Sequence, residues 1–182
     1  TAGTSNPNFF LIFWHKLFIQ QIMRNKYLSL FIILTITFVA SAIGGFTTSQ
    51  FKEPWYSSLT LSPYNPPSWV FGPVWTTLYV FMSVAIWKVW TKFYETKILI
   101  IYFIHILFNA SWSVVFFGFH EILLSLINLI IILAMVIYLT IIFKSRNNLS
   151  FLLMVPYLLW SSYALFLNCL LYTSPSPRDK TV

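Results

Sequence analysis

The chain has 182 residues, 58% of them hydrophobic, 20% aromatic and only 8% charged, with a formal net charge of +7 and a mean hydropathy of +0.77. So much apolar surface cannot be hidden inside one soluble domain, so the composition specifies an integral membrane protein, and the scattering of its cations through loops and termini reads as membrane topology and excludes a nucleic-acid partner. The acidic residues are Glu53, Glu95, Glu121 and Asp179, none deep in an apolar stretch, and Cys169 stands alone, which excludes a buried carboxylate relay, an internal disulfide and a multi-cysteine metal site.

Residues 1–22 carry no starting Met, and the apolar piece at 9–19 is too short to span and is interrupted by His15-Lys16. They read as an upstream extension, with Met23 as the native start. Met23-Arg24-Asn25-Lys26 then gives a basic entry to an apolar run at 27–45, the first predicted span. Ala40-Ser41-Ala42 offers a rival reading as a signal-peptide cleavage site, but the run is followed by further spans and not by a soluble domain, which favours retention. Phe46 is expected to close this span. A long loop at 47–67 follows, with Lys52, Glu53, Trp55, Tyr56, Tyr64 and four prolines. Trp55 and Tyr56 suit either a lid folded over the bundle or an interfacial aromatic belt.

Pro66-Pro67 keeps the approach extended and Ser68 is placed to cap, so the next helix is predicted from Trp69 to Trp90. Pro73 removes one backbone bond near its start and predicts a bend there. Trp75, Tyr79, Met82 and Ile86 share one face. Further spans are predicted at 98–117, 122–143 and 149–172, joined by turns at 92–97, 118–121 and 144–148, each span sufficient for a hydrocarbon core of about 30 Å. The predicted fold is therefore all-α: an integral membrane bundle of five transmembrane helices forming one domain over 23–168. In the third span His105, Asn109, Trp112 and Phe116 are spaced i, i+4, i+7, i+11. Polar groups at bilayer depth are costly, so this face must point into the bundle or a cavity. Interhelical hydrogen bonding is the default role for Asn109 and Asn128. In the fifth span Trp160, Tyr163, Ala164 and Leu167 share a face, with Pro156 as an expected bend.

The tail at 169–182 resembles the translation of a transposon-type sequencing adapter and reads as non-native. Lys16, Arg24, Lys26, Lys88, Lys92, Lys97, Lys144 and Arg146 fall on the amino-terminal side of the spans, and Lys52, Arg178 and Lys180 opposite. That bias predicts a bacterial inner-membrane protein with a cytoplasmic amino terminus.

Three blocks carry a family resemblance. They are Trp55-Tyr56 with Pro66-Pro-Ser-Trp-Val-Phe-Gly-Pro-Val-Trp-Thr-Thr-Leu-Tyr79, then Asn109-Ala-Ser-Trp112-Ser113 with Phe116-Phe117-Gly118, then Val155-Pro156-Tyr157-Leu-Leu-Trp160 with Ala164 and Leu167-Asn168. Together and in this order the chain resembles the tryptophan-rich sensory protein family, also called the translocator protein or peripheral benzodiazepine receptor family. The resemblance implies a receptor or sensor for tetrapyrroles such as protoporphyrin IX and haem, or for sterol-like ligands, embedded in the lipid bilayer and often homodimeric. No cofactor is required and no metal site is expected. By resemblance and by facing, the ligand-binding residues are Trp55, Tyr56, Trp69, Trp75, His105, Asn109, Trp112, Phe116, Trp160 and Ala164. At His105 the family commonly shows Gln, so a haem-ligand role would depart from its pattern. Trp69 and Trp160 match the two tryptophans linked to light-dependent porphyrin breakdown, which makes a porphyrin-degrading enzyme the first alternative and a porphyrin or sterol transporter the second.

Overall fold

The computed structural model describes residues 23–173, so the expectations for 1–22 and for 174–182 lie outside it. Among the described residues five helices are long and apolar enough to cross a membrane, and they agree with the five predicted spans. They are α1 (Lys26–Phe51), α3 (Ser68–Phe93), α4 (Thr96–Ser113, continued by a π turn at Val114–Gly118), α5 (Ile122–Arg146) and α6 (Asn148–Thr173), with a one-turn helix α2 (Trp55–Ser58) between the first two.

Helix α1 begins where the Asn25 side-chain oxygen accepts from the N–H groups of Tyr27 and Leu28, both at 3.1 Å. It does not close at Phe46. The polar run after Phe46 stays helical, and within it Thr47 and Thr48 donate their hydroxyls to the carbonyls of Ile43 and Gly44, and Ser49 to that of Phe46. The loop therefore shrinks to residues 52–67. Helix α3 starts at Ser68, one residue earlier than predicted, and Ser68 does not cap it; its hydroxyl accepts from Lys52 Nζ at 3.3 Å instead. Pro73 lies inside α3, which continues to Phe93 and stops at Tyr94 in the left-handed region (φ 52°). In α4 the α pattern widens after Ser113, and the Phe119 N–H reaches the Val114 carbonyl at 3.0 Å. Helix α6 runs on through residues 169–173, beyond the position at which the sequence reading ends the domain.

The helices close into a ring: α1 packs on α3 and α4, α4 on α5, α5 on α6, and α6 back on α3. Gly44 lets α1 and α4 approach closely. A Cβ added to Gly44 of α1 would stand 3.1 Å from Ser113 Oγ of α4. Apolar residues such as Met82, Ile86, Ile106, Ile132 and Val136 fill the interior, and Tyr79, Met82 and Ile86 are buried on one face of α3. Buried polar groups are bonded between helices: Tyr102 Oη pairs with Thr37 Oγ1 at 2.8 Å, and Ser150 Oγ donates to the Ala85 carbonyl at 2.9 Å. Phe31, Leu107, Ile141 and Leu159 face outward, as a lipid solvent allows.

The two ends of the ring differ. At one, Trp87 and Trp90 donate their indole N–H groups to the carbonyls of Lys26 and Met23, each at 2.8 Å, and Arg146 pairs with Glu95 at 2.8 Å. Arg24 lies over Tyr94 and Lys26 over Trp87 at this same end. The other end carries the 52–67 segment and an opening between the helices.

Candidate functional site

That opening is a cavity of about 520 Å³ reaching from the 52–67 segment down between all five long helices. Helix α3 builds one wall with Ser68, Phe71, Gly72, Trp75, Thr76 and Tyr79, at i, i+3, i+4, i+7, i+8 and i+11. Helix α6 builds the facing wall with Trp160, Tyr163, Ala164, Leu167 and Asn168. The third wall is Asn109, Trp112, Phe116 and Phe117 from α4 and its π turn. The extra residue in that turn carries both Phe116 and Phe117 inward, where they lie buried and edge to face at 4.8 Å. Trp112 stacks on Phe116 with centroids 5.0 Å apart and planes 9° from parallel, and Trp75 stacks on Tyr79 at 5.5 Å.

The floor is a chain of side-chain hydrogen bonds. Tyr79 Oη donates to Asn109 Oδ1 at 2.7 Å, Asn109 Nδ2 donates to Tyr157 Oη at 3.0 Å, and Tyr157 Oη pairs with His105 Nε2 at 2.7 Å. Asn109 thus both ties α3, α4 and α6 together and reaches the cavity. Asn128 serves only as interhelical glue, donating to Ser111 Oγ at 2.8 Å, and does not line the cavity.

The 52–67 segment straps the mouth. Tyr56 lines the cavity, packs against Phe116 and Phe117, and accepts from Asn65 Nδ2 at 3.0 Å. Burial pushes its phenol above the ordinary tyrosine value, so Tyr56 stays neutral and able to donate at physiological pH. Trp55 lies outside the lining and pins the strap, stacked on His120 at 4.4 Å and edge-on to Phe116. Far along the strap, Tyr163 Oη donates to the Tyr64 carbonyl. Tyr56 therefore lies over the cavity while Trp55 anchors the strap beside it, and Lys52 stands at the mouth next to Glu53, 5.2 Å from the Tyr56 ring centre.

Of the ten residues expected to contact ligand, the structure brings seven to the cavity: Tyr56, Trp75, Asn109, Trp112, Phe116, Trp160 and Ala164. Trp55, Trp69 and His105 are elsewhere. Trp69 is 76% exposed; it precedes Phe71 by two residues, about 200° around a helix, so the helical period that turns Phe71 and Trp75 inward turns Trp69 out. The expectation that Trp69 and Trp160 wall one cavity is corrected accordingly. His105 is fully buried one turn below Asn109, and Tyr157 occupies its Nε2. Sequence reasoning missed Phe71, Phe117 and Asn168 as lining groups, although the α3 period alone would have picked out Phe71. Three buried lining atoms have no protein partner: Trp112 Nε1, Trp160 Nε1 and Asn168 Oδ1. Two indole donors and one amide acceptor on lining residues thus lack a protein hydrogen bond.

A sequence model described as the TspO/MBR family matches residues 31–173. The chain is 32% identical over 146 residues to the Tryptophan-rich protein TspO of Archaeoglobus fulgidus, covering 79% of this chain and 92% of that one. To the Tryptophan-rich sensory protein of Cereibacter sphaeroides it is 33% identical over 137 residues, 74% of this chain and 87% of that one. To the Translocator protein of Homo sapiens it is 31% identical over 139 residues, 71% and 82%. The chain belongs to the TspO/MBR family and is an integral membrane protein of five spans.

Proposed function

We propose that this TspO/MBR family chain is a membrane receptor for a flat, largely apolar ligand of the tetrapyrrole class, held between the aromatic walls of the cavity. The observation that carries the reading is the pairing of stacked aromatic surface with the unpartnered Trp112 and Trp160 indole donors and the Asn168 acceptor. Rings of the ligand would stack, while these groups and Asn109 fix its orientation. The volume of about 520 Å³ falls inside the range of about 300–1,000 Å³ usual for small-molecule sites. Among the lining residues none is His, Cys or Met, so the reading rests on recognition of the macrocycle and not on an imidazole or sulfur ligand to iron. Lys52 lines the mouth beside Glu53, 3.9 Å away, and would exchange that partner for a carboxylate of protoporphyrin IX. Light-driven porphyrin breakdown by Trp69 and Trp160 together is the less supported reading, since of the two only Trp160 lines the cavity. The basic end of the ring supports a cytoplasmic amino terminus in a bacterial inner membrane.

Titrating the full chain in detergent with protoporphyrin IX and following tryptophan emission tests the reading. Saturable quenching at one ligand per chain is expected, and a sterol competitor measures selectivity. Linear, unsaturable quenching would overturn it.

A further inference from the structure

A second concavity, of about 510 Å³, lies on the outer side of the α3/α6 contact. Its floor is formed by Pro73, Thr77 and Leu78 of α3 and by Pro156 and Leu159 of α6, and it shares Trp160 and Tyr163 with the inner cavity. Those two rings are therefore the partition between a space inside the bundle and a groove that opens on the apolar, lipid-facing surface. Resting on the tetrapyrrole reading above, we propose that the ligand enters and leaves the cavity sideways, from the bilayer hydrocarbon through the wall between α3 and α6, with the Trp160 ring as the gate.

Three observations support this route over the mouth. The strap is fastened at both ends: Trp55 on His120 and Phe116, Tyr56 on Phe116 and Phe117, and Tyr64 to Tyr163 and Phe166. By contrast Trp160 is held by the Phe71 ring edge to face at 5.9 Å and by the tilted Tyr163 ring at 6.0 Å, and its indole nitrogen has no partner to break. The wall also contains both helix-interior prolines. Pro73 cannot donate to the carbonyl of Trp69, nor Pro156 to that of Leu152, so each helix lacks a ladder bond beside the gate and bends there at less cost than an unbroken helix. A ligand apolar enough for this cavity is concentrated in the bilayer, and the lateral path keeps it out of water throughout.

The test uses the full chain in liposomes carrying protoporphyrin IX, with association and release followed by porphyrin emission. Thr77 is exposed on α3 and lies in the groove but not in the cavity. Thr77→Phe should slow association and release alike, by about tenfold, each tenfold corresponding to one 1.36 kcal/mol step in barrier, while Kd stays within about twofold because the bound state is untouched. Where Thr77→Phe fails to fold, Leu159→Phe fills the same groove from α6. Trp55→Ala, which loosens the strap, should leave both rates unchanged. Unchanged rates in the groove-filling variants, with acceleration in Trp55→Ala, would overturn the lateral route and assign entry to the mouth. Absence of saturable binding in the unmodified chain would overturn the tetrapyrrole reading and the route with it.

Discussion

Replacing Tyr157 by Phe removes one oxygen and keeps the ring. That oxygen accepts from Asn109 Nδ2 at 3.0 Å and pairs with His105 Nε2 at 2.7 Å, so two interhelical bonds are lost at once. His105 Nδ1 already lacks a partner, and the variant would leave the whole imidazole unbonded in a fully buried position. Side-chain hydrogen bonds within membranes average about 0.6 kcal/mol with a maximum near 1.7, which puts the loss at about 1.2 kcal/mol and no more than about 3.4. The ring contacts to Trp75 and His105 persist, so no packing cavity adds to this. Reversible unfolding in mixed micelles with increasing SDS measures the change. Because Tyr157 lies beneath the cavity and does not line it, porphyrin affinity should shift by less than about threefold, close to what 0.6 kcal/mol represents. Stability within about 0.3 kcal/mol of the unmodified chain would refute the view that these bonds tie α6 to α4.

Gly44→Val should destabilise by about 1–3 kcal/mol, the usual cost of overpacking, because its Cβ would meet Ser113 Oγ at 3.1 Å; Gly45→Ala, with nothing within 4 Å of the added Cβ, should be neutral or stabilising in the same unfolding assay. Tyr56→Ala should weaken porphyrin binding chiefly through faster release, measured by stopped-flow, since the ring lines the cavity. A reporter fused in the 144–148 turn should be cytoplasmic and one in the 60–65 segment should not; finding both on one side would contradict the five-span topology.

The spans and the polar face of α4 were legible because bilayer thickness and helical period act on local sequence. Other features carry no such signal. Thr47, Thr48 and Ser49 carry loop chemistry, yet α1 runs through them to Phe51 with their hydroxyls bonded back to helix carbonyls. The π turn at Val114–Gly118 has no residue signature of its own. His105 became a structural residue only because Tyr157, 52 positions away, meets its ring. Trp69 is the instructive case: a family motif drew it into the site, whereas 3.6 residues per turn sets it apart from Phe71 and Trp75.

If one cavity between α3, α4 and α6 binds the porphyrin, equilibrium titration of four indole variants will separate its walls from the rest of the bundle. Trp112→Phe and Trp160→Phe keep a ring but delete the unpartnered N–H groups, and each should weaken protoporphyrin IX binding about fivefold or more, equivalent to about 1 kcal/mol. Trp69→Phe, on the outward side of α3, and Trp90→Phe, bonded to the Met23 carbonyl at the basic end, should bind as the unmodified chain does. Equal losses across all four, or none in Trp112→Phe and Trp160→Phe, would contradict the assignment of this cavity.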